Sequence, residues 1–114
     1  MTTTMNTSII HAKLSKADLK ECLARFKKGT QAYKIVKYLA NNRAVPTSEL
    51  IKKADTRNLS EVVRSSCNPN LQDLGLVIRC DKPLVPYRNK VGQDLGQFEW
   101  SLFRVIEDEQ VERV

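Results

Sequence analysis

The sequence predicts an α+β fold: three to four helices followed by a two- or three-stranded antiparallel sheet. Between Leu14 and Leu74, apolar residues recur at intervals of three and four, the period of a helix that buries one stripe. After Gly75 the period shortens to two, with Leu76, Ile78 and Cys80 in one run and Phe98, Trp100 and Leu102 in another. Glycine and short polar residues at positions 29–30, 41–42 and 55–58 cut the helical half into separate pieces.

Residues 1–13 are threonine-rich and polar, and read as a mobile tail. The first helix is expected over 15–28. Ser15 caps it, Leu19, Cys22, Leu23 and Phe26 form its stripe, and Gly29 takes the left-handed position at its end. A second helix is expected over 30–41, capped by Thr30, with Ala32, Ile35, Val36 and Leu39 inward. Tyr33 and Tyr38 lie off that stripe and are expected against the N-terminal helix.

The stretch 47–74 is the most informative. A short helix over Ser48–Ala54, capped by Thr47, buries Leu50, Ile51 and Ala54. Asp55, Thr56, Arg57 and Asn58 then form a turn, because short polar side chains bond their own backbone and stop a helix. A longer helix follows, with Leu59, Val62, Val63, Cys67, Leu71 and Leu74 on its buried face and Ser60, Glu61, Arg64, Ser65 and Asn68 outside. Two helices joined by so short a turn describe a helix-turn-helix. Pro69 falls inside the second and predicts a kink or break near Cys67–Asn68. The strands over 76–105 enclose a seventeen-residue connection with two prolines and the bases Lys82, Arg88 and Lys90. A short extra strand is expected there near Leu84–Tyr87. Residues 107–114 read as an acidic tail.

A chain of 114 residues is one domain, 14–106 here, large enough to bury a core without staples. Cys22, Cys67 and Cys80 form no CxxC pair and read as small buried hydrophobes, so neither a disulfide framework nor a structural zinc site is expected. No apolar run reaches the roughly 20 residues of a membrane span, and no signal-peptide pattern opens the chain. A cytoplasmic location is therefore expected, and association with the nucleoid if the chain binds DNA. Nineteen bases oppose thirteen acids, for a formal charge of +6. Four of those acids fall in 107–112, so the body is more basic than the total, which points to an anionic partner.

The run RNLSEVVRSSCNPNL (57–71) looks like the recognition helix of winged helix-turn-helix domains. LQDLGLVIRC (71–80) resembles their passage from helix end into the first wing strand, and GQFEWSL (96–102) their returning strand. The resemblance covers about 30–105. It is to small bacterial and phage regulators, and in outline to the effector domains of response regulators. Two departures stand out: Pro69 interrupts a helix that most relatives keep continuous, and the wing is longer than usual.

The resemblance implies sequence-specific binding of double-stranded DNA by a transcriptional regulator. Its recognition helix would lie in the major groove, and its basic wing on the backbone or in the minor groove. Arg64 would face guanine O6 and N7, Asn58 or Asn68 adenine N6 and N7, and Ser60 and Ser65 phosphate or water, with Arg57 in the adjoining turn. Thr47 and Ser48 would offer helix N-terminal N–H groups to a phosphate. Lys82, Arg88, Asn89 and Lys90 would act from the wing. For each of these residues the alternative is ordinary solvation.

Catalysis is not expected: His11 is the lone histidine, and no phosphate-binding glycine loop, HExxH or GxSxG run occurs. No cofactor, metal or effector pocket is legible. The rival reading is a winged helix that binds a protein partner instead of DNA. A homodimer through the N-terminal helix is compatible with either.

Overall fold

A computed structural model of the chain describes residues 3–111, and side chains for 9–106; Met1, Thr2 and 112–114 lie outside the described residues. The fold is α+β, with helices against a four-stranded antiparallel sheet. In chain order the elements are β1 (Thr3–His11), α1 (Lys16–Leu23), α2 (Gln31–Asn41), β2 (Val45–Pro46), α3 (Thr47–Ala54) and α4 (Leu59–Val62). A π-helical turn (Val63–Cys67), α5 (Asn68–Leu71), a 3-10 turn (Gln72–Leu74), β3 (Leu76–Asp81) and β4 (Glu99–Val111) complete it.

The helices start where their caps dictate. Ser15 accepts the Asp18 N–H at 3.1 Å, and Thr30 accepts that of Tyr33 at 3.2 Å. The first helix ends five residues earlier than expected. The chain tightens after Leu23 into turns in which Arg25 N–H bonds Cys22 O and Phe26 N–H bonds Leu23 O. Gly29 takes its left-handed φ of 89° beyond the helix, in the link to Thr30. Phe26 and Leu23 still pack, partly buried, on the core. Tyr38 donates its hydroxyl to Glu49 of α3 at 2.5 Å.

Pro69 shapes the second motif helix without ending it. In α geometry its ring would strike the carbonyl of residue 65, and it has no N–H to donate. The chain widens into the π turn just before it, where Asn68 N–H reaches back five residues to Val63 O. Pro69 then falls in the first turn of α5, where a missing donor is harmless. Leu59, Val63, Cys67 and Leu71 stay buried through the change, so the expected kink takes the form of a local widening. Gly75, at φ 71°, ends the run and turns the chain into β3.

β4 is the axis of the sheet. β3 lies along one side of it, from Leu76↔Arg104 to Asp81↔Glu99. On the other side β2 (Val45↔Trp100) and β1 (His11↔Phe103 to Thr3↔Val111) follow one another end to end. This corrects three expectations. The sheet has four strands instead of two or three. Residues 3–11 of the expected N-terminal tail, and 107–111 of the expected acidic tail, are strands paired with each other. The physical cause is legible afterwards: Thr3–Ile10 has no charge and many β-branched residues, which suit a pleated surface. Ala12, also in the expected N-terminal tail, bonds Leu102 O, while Met1, Thr2 and 112–114 of the two expected tails lie outside the described residues.

The core joins α2, α3 and residues 59–71 to the inner face of β3 and β4, with Ile35, Val36, Leu50, Leu71 and Leu102 fully buried. The strand alternation holds for Leu76, Ile78, Trp100 and Leu102. It fails at Cys80 and at Phe98, which precedes β4; both are exposed. His11 is not in a free tail either: its ring lies 4.8 Å from that of Phe103.

Candidate nucleic-acid interface

The turn after α3 is built by Asp55, at a left-handed φ of 52°, and by Thr56, whose buried hydroxyl accepts the Asn58 N–H at 3.3 Å. This tight reversal sets the start of α4 beside α3. Arg57, Asn58, Ser60 and Arg64 consequently line one open groove together with Glu61 and Thr47, with Ile51 and Trp100 forming part of its floor. The first four are exposed. Arg64 reaches back to pair with Glu61, three residues earlier, yet its side chain remains 77% exposed. An exposed pair of this kind is worth little, so the guanidinium can be recruited by a stronger anion at small cost.

Other expected contacts are already engaged within the fold. Asn68 accepts the Ile78 N–H at 2.8 Å and donates Nδ2–H to Ile78 O at 3.1 Å, which ties the motif helix to β3. Ser65 donates to Glu61 O at 2.6 Å, a bond back to the preceding helical turn.

Thr47 is the first helical residue of α3 and not its cap; Pro46 occupies that position and supplies no side-chain bond. The Thr47 hydroxyl donates to Phe98 O at 3.2 Å and accepts the Trp100 indole N–H at 2.8 Å, so it secures the helix to β4. Ser48 N–H, expected to face a phosphate, donates to Gln97 Oε1 at 3.1 Å, and Gln97 Nε2–H returns to Ser48 Oγ at 3.1 Å. Gln97 therefore caps α3 from the base of the wing, on its returning side. Sequence reasoning missed it, since forty-nine residues separate the partners and no local pattern announces the contact.

The wing differs from the expected hairpin with an extra strand near Leu84–Tyr87. β3 stops at Asp81, and a small loop closes further out at an isolated bridge between Arg88 and Asp94. Pro83 and Pro86 account for the absence of a strand between them, since neither can donate to a ladder. Asn89 organises the tip: its Oδ1 accepts from Val91 N–H and Gln93 N–H, each at 3.0 Å. Arg88 donates to Gly92 O at 2.7 Å. Lys82 and Lys90 are exposed. Lys82 borders a separate hollow with Pro83, Pro86, Gln97 and Phe98, so the structure does not place it in the groove of Arg57 and Arg64. At the wing's base Tyr87 donates its hydroxyl to Glu99 at 2.6 Å. This bond, followed by partial burial, holds the phenol above its ordinary pKa.

Among the described residues no group of three histidine, cysteine or acidic side chains is placed to hold a metal ion. No helix among them is long and apolar enough to cross a membrane. Compared with family models, with curated proteins and with solved structures, the chain matches none.

Proposed function

We propose that this protein is a winged helix-turn-helix regulator that binds double-stranded DNA sequence-specifically, with residues 59–67 in the major groove. The observation that carries the reading is the convergence of Arg57, Asn58, Ser60 and Arg64 on one exposed groove at the start of the second motif helix. The order of elements supports it: a helix, a short strand, two helices across a tight turn, then two strands around a long connection. The formal charge of +6 supplies the general attraction to phosphate. Within this reading Arg64 and Asn58 read base edges, while Arg57 and Ser60 meet the backbone. Arg88 and Lys90 bring charge to the flanking backbone.

Fluorescence anisotropy on random duplex across a salt series tests this directly. Log affinity should fall linearly with log salt, at a slope of about −0.9 per phosphate neutralised. Arg57→Ala should reduce that slope by about one phosphate equivalent. Arg64→Ala should relax base preference in a selected site at a cost of about 1–3 kcal/mol. Absence of duplex binding at low salt would sink the proposal.

The protein-partner reading keeps one specific support. Leu84, Val85, Val91 and Leu95 are exposed within the wing, Leu84 completely so. Replacing Leu84 and Val85 by serine separates the two readings, because duplex affinity should survive it and capture of a protein should not.

A further inference from the structure

We propose that a second copy of this chain pairs with the outer edge of β1, antiparallel to its symmetry mate, and joins two four-stranded sheets into one. Beyond Val105 the body of the sheet is left behind, and β1 and β4 continue to Thr3 and Val111 as a two-stranded ribbon. Such a ribbon alone is marginal in water and gains stability from a third strand.

The ladder identifies which backbone groups are free. Ala12 N–H bonds Leu102 O, and Val105 N–H bonds Gly75 O on the opposite side of β4. Antiparallel strands alternate strictly, so the N–H and C=O groups of residues 4, 6, 8 and 10 face β4. Those of Thr3, Met5, Thr7, Ile9 and His11 face outward.

Three edges compete for a partner, and charge separates them. The outer edge of β3 is partly closed, because Asn68 takes both backbone groups of Ile78. The free edge of β4 presents Glu107 and Glu109 around Asp108, so pairing it with its own copy would set acids against acids. β1 carries no charged residue from Thr3 to Ile10 and no proline, the devices that normally protect an edge.

The register is also self-complementary. Thr7 is the midpoint of Thr3–His11, so a two-fold axis through it sets Thr7 against Thr7, Met5 against Ile9 and Thr3 against His11. All the outward groups are then satisfied, in about ten hydrogen bonds. The N-terminal helix is a weaker candidate for this role, since Cys22, Leu23 and Phe26 already pack on the chain's own core.

Light scattering and sedimentation of the full chain from low to high micromolar concentration test the proposal without reference to DNA. The expected result is a species of twice 13.0 kDa. Thr7→Pro removes an outward N–H and spares the ladder to β4, so it should give single-chain mass with an unchanged far-ultraviolet spectrum. Ser8→Pro removes an inward N–H and should lower thermal stability as well. Thr7→Lys carries the test should proline disturb the ribbon, because two lysines would meet at the axis. A wild-type chain that stays at single mass throughout overturns the proposal, as does a doubled mass that survives both substitutions at position 7.

Discussion

Asn68 grips the backbone of Ile78 at two points, taking its N–H and supplying its carbonyl from one side-chain amide. Ile78 sits opposite Leu102, whose hydrogen-bonding groups face β1, so those of Ile78 point away from the ladder and would otherwise be orphaned. The amide thus closes the edge of β3 at Ile78 and fixes the motif helix to the sheet.

Asn68→Ala should consequently destabilise the fold by about 2–3 kcal/mol, because a buried residue loses partners for both an N–H and a C=O. Asn68→Asp keeps the acceptor and should fall between alanine and wild type. Urea unfolding measures both. An alanine variant of undiminished stability would refute the clamp. Arg64→Ala, by contrast, should change stability by less than about 0.5 kcal/mol, since its ion pair is exposed.

The cysteines divide by position. Cys22 and Cys67 are buried, and burial pushes the Cys67 thiol up to about 12, with the nearby Cys22 adding to the shift. Cys22 is raised too, chiefly by burial. Cys80 is exposed at the outer end of β3. A thiol reagent such as Ellman's should titrate one sulfhydryl in the native protein at pH 8 and three after denaturation. Rapid reaction of two or three in the native state would contradict this packing.

These cases show what the sequence could and could not reveal. The helical stripes were legible because their period is local, and Leu59, Val63, Cys67 and Leu71 kept it even through the π turn. Cys80 fits the same strand alternation as Ile78, yet nothing in the spacing marks it as exposed. β1 escaped notice because its partner lies at the opposite end of the chain, and an edge strand of threonines resembles a polar tail. At the candidate interface, exposure followed from the helix face, so that of Arg57, Asn58, Ser60 and Arg64 was legible. Thr47 and Asn68 are polar residues on the same elements, but contacts across ten to fifty-three residues had already claimed them.

Arg25 spans forty-eight residues to Asp73, with one guanidinium nitrogen at 2.6 and 2.7 Å from the two carboxylate oxygens. The hydrogen bond from Arg25 is the main reason the Asp73 carboxyl is held below its ordinary pKa. A carboxyl depressed by folding contributes stability above its unfolded value, near 3.9, and loses it as pH falls through the folded value. Asp73→Asn should therefore lower the melting temperature slightly at pH 7, and the two proteins should converge below the folded value. Parallel melting curves at every pH would show that the pair adds nothing, as many exposed pairs do.

Tyr87 and Glu99 set the angle at which the wing leaves the sheet, the phenol donating to the carboxylate at 2.6 Å while Tyr87 O accepts the Leu95 N–H at 2.8 Å. The raised phenol pKa means this bond is intact below the ordinary tyrosine value near 10 and is lost as pH rises through the folded one. Tyr87→Phe removes the side-chain bond and leaves the ring. Global stability should fall by no more than about 1.5 kcal/mol, the net worth of one hydrogen bond. Amide exchange at Leu95 should accelerate far more than exchange in α2, because only the wing is loosened. If the wing carries Arg88 and Lys90 to DNA, duplex affinity should fall in step with that local protection. Equal loss of protection in α2 and at Leu95 would mean that Tyr87 supports the whole fold and does not orient the wing.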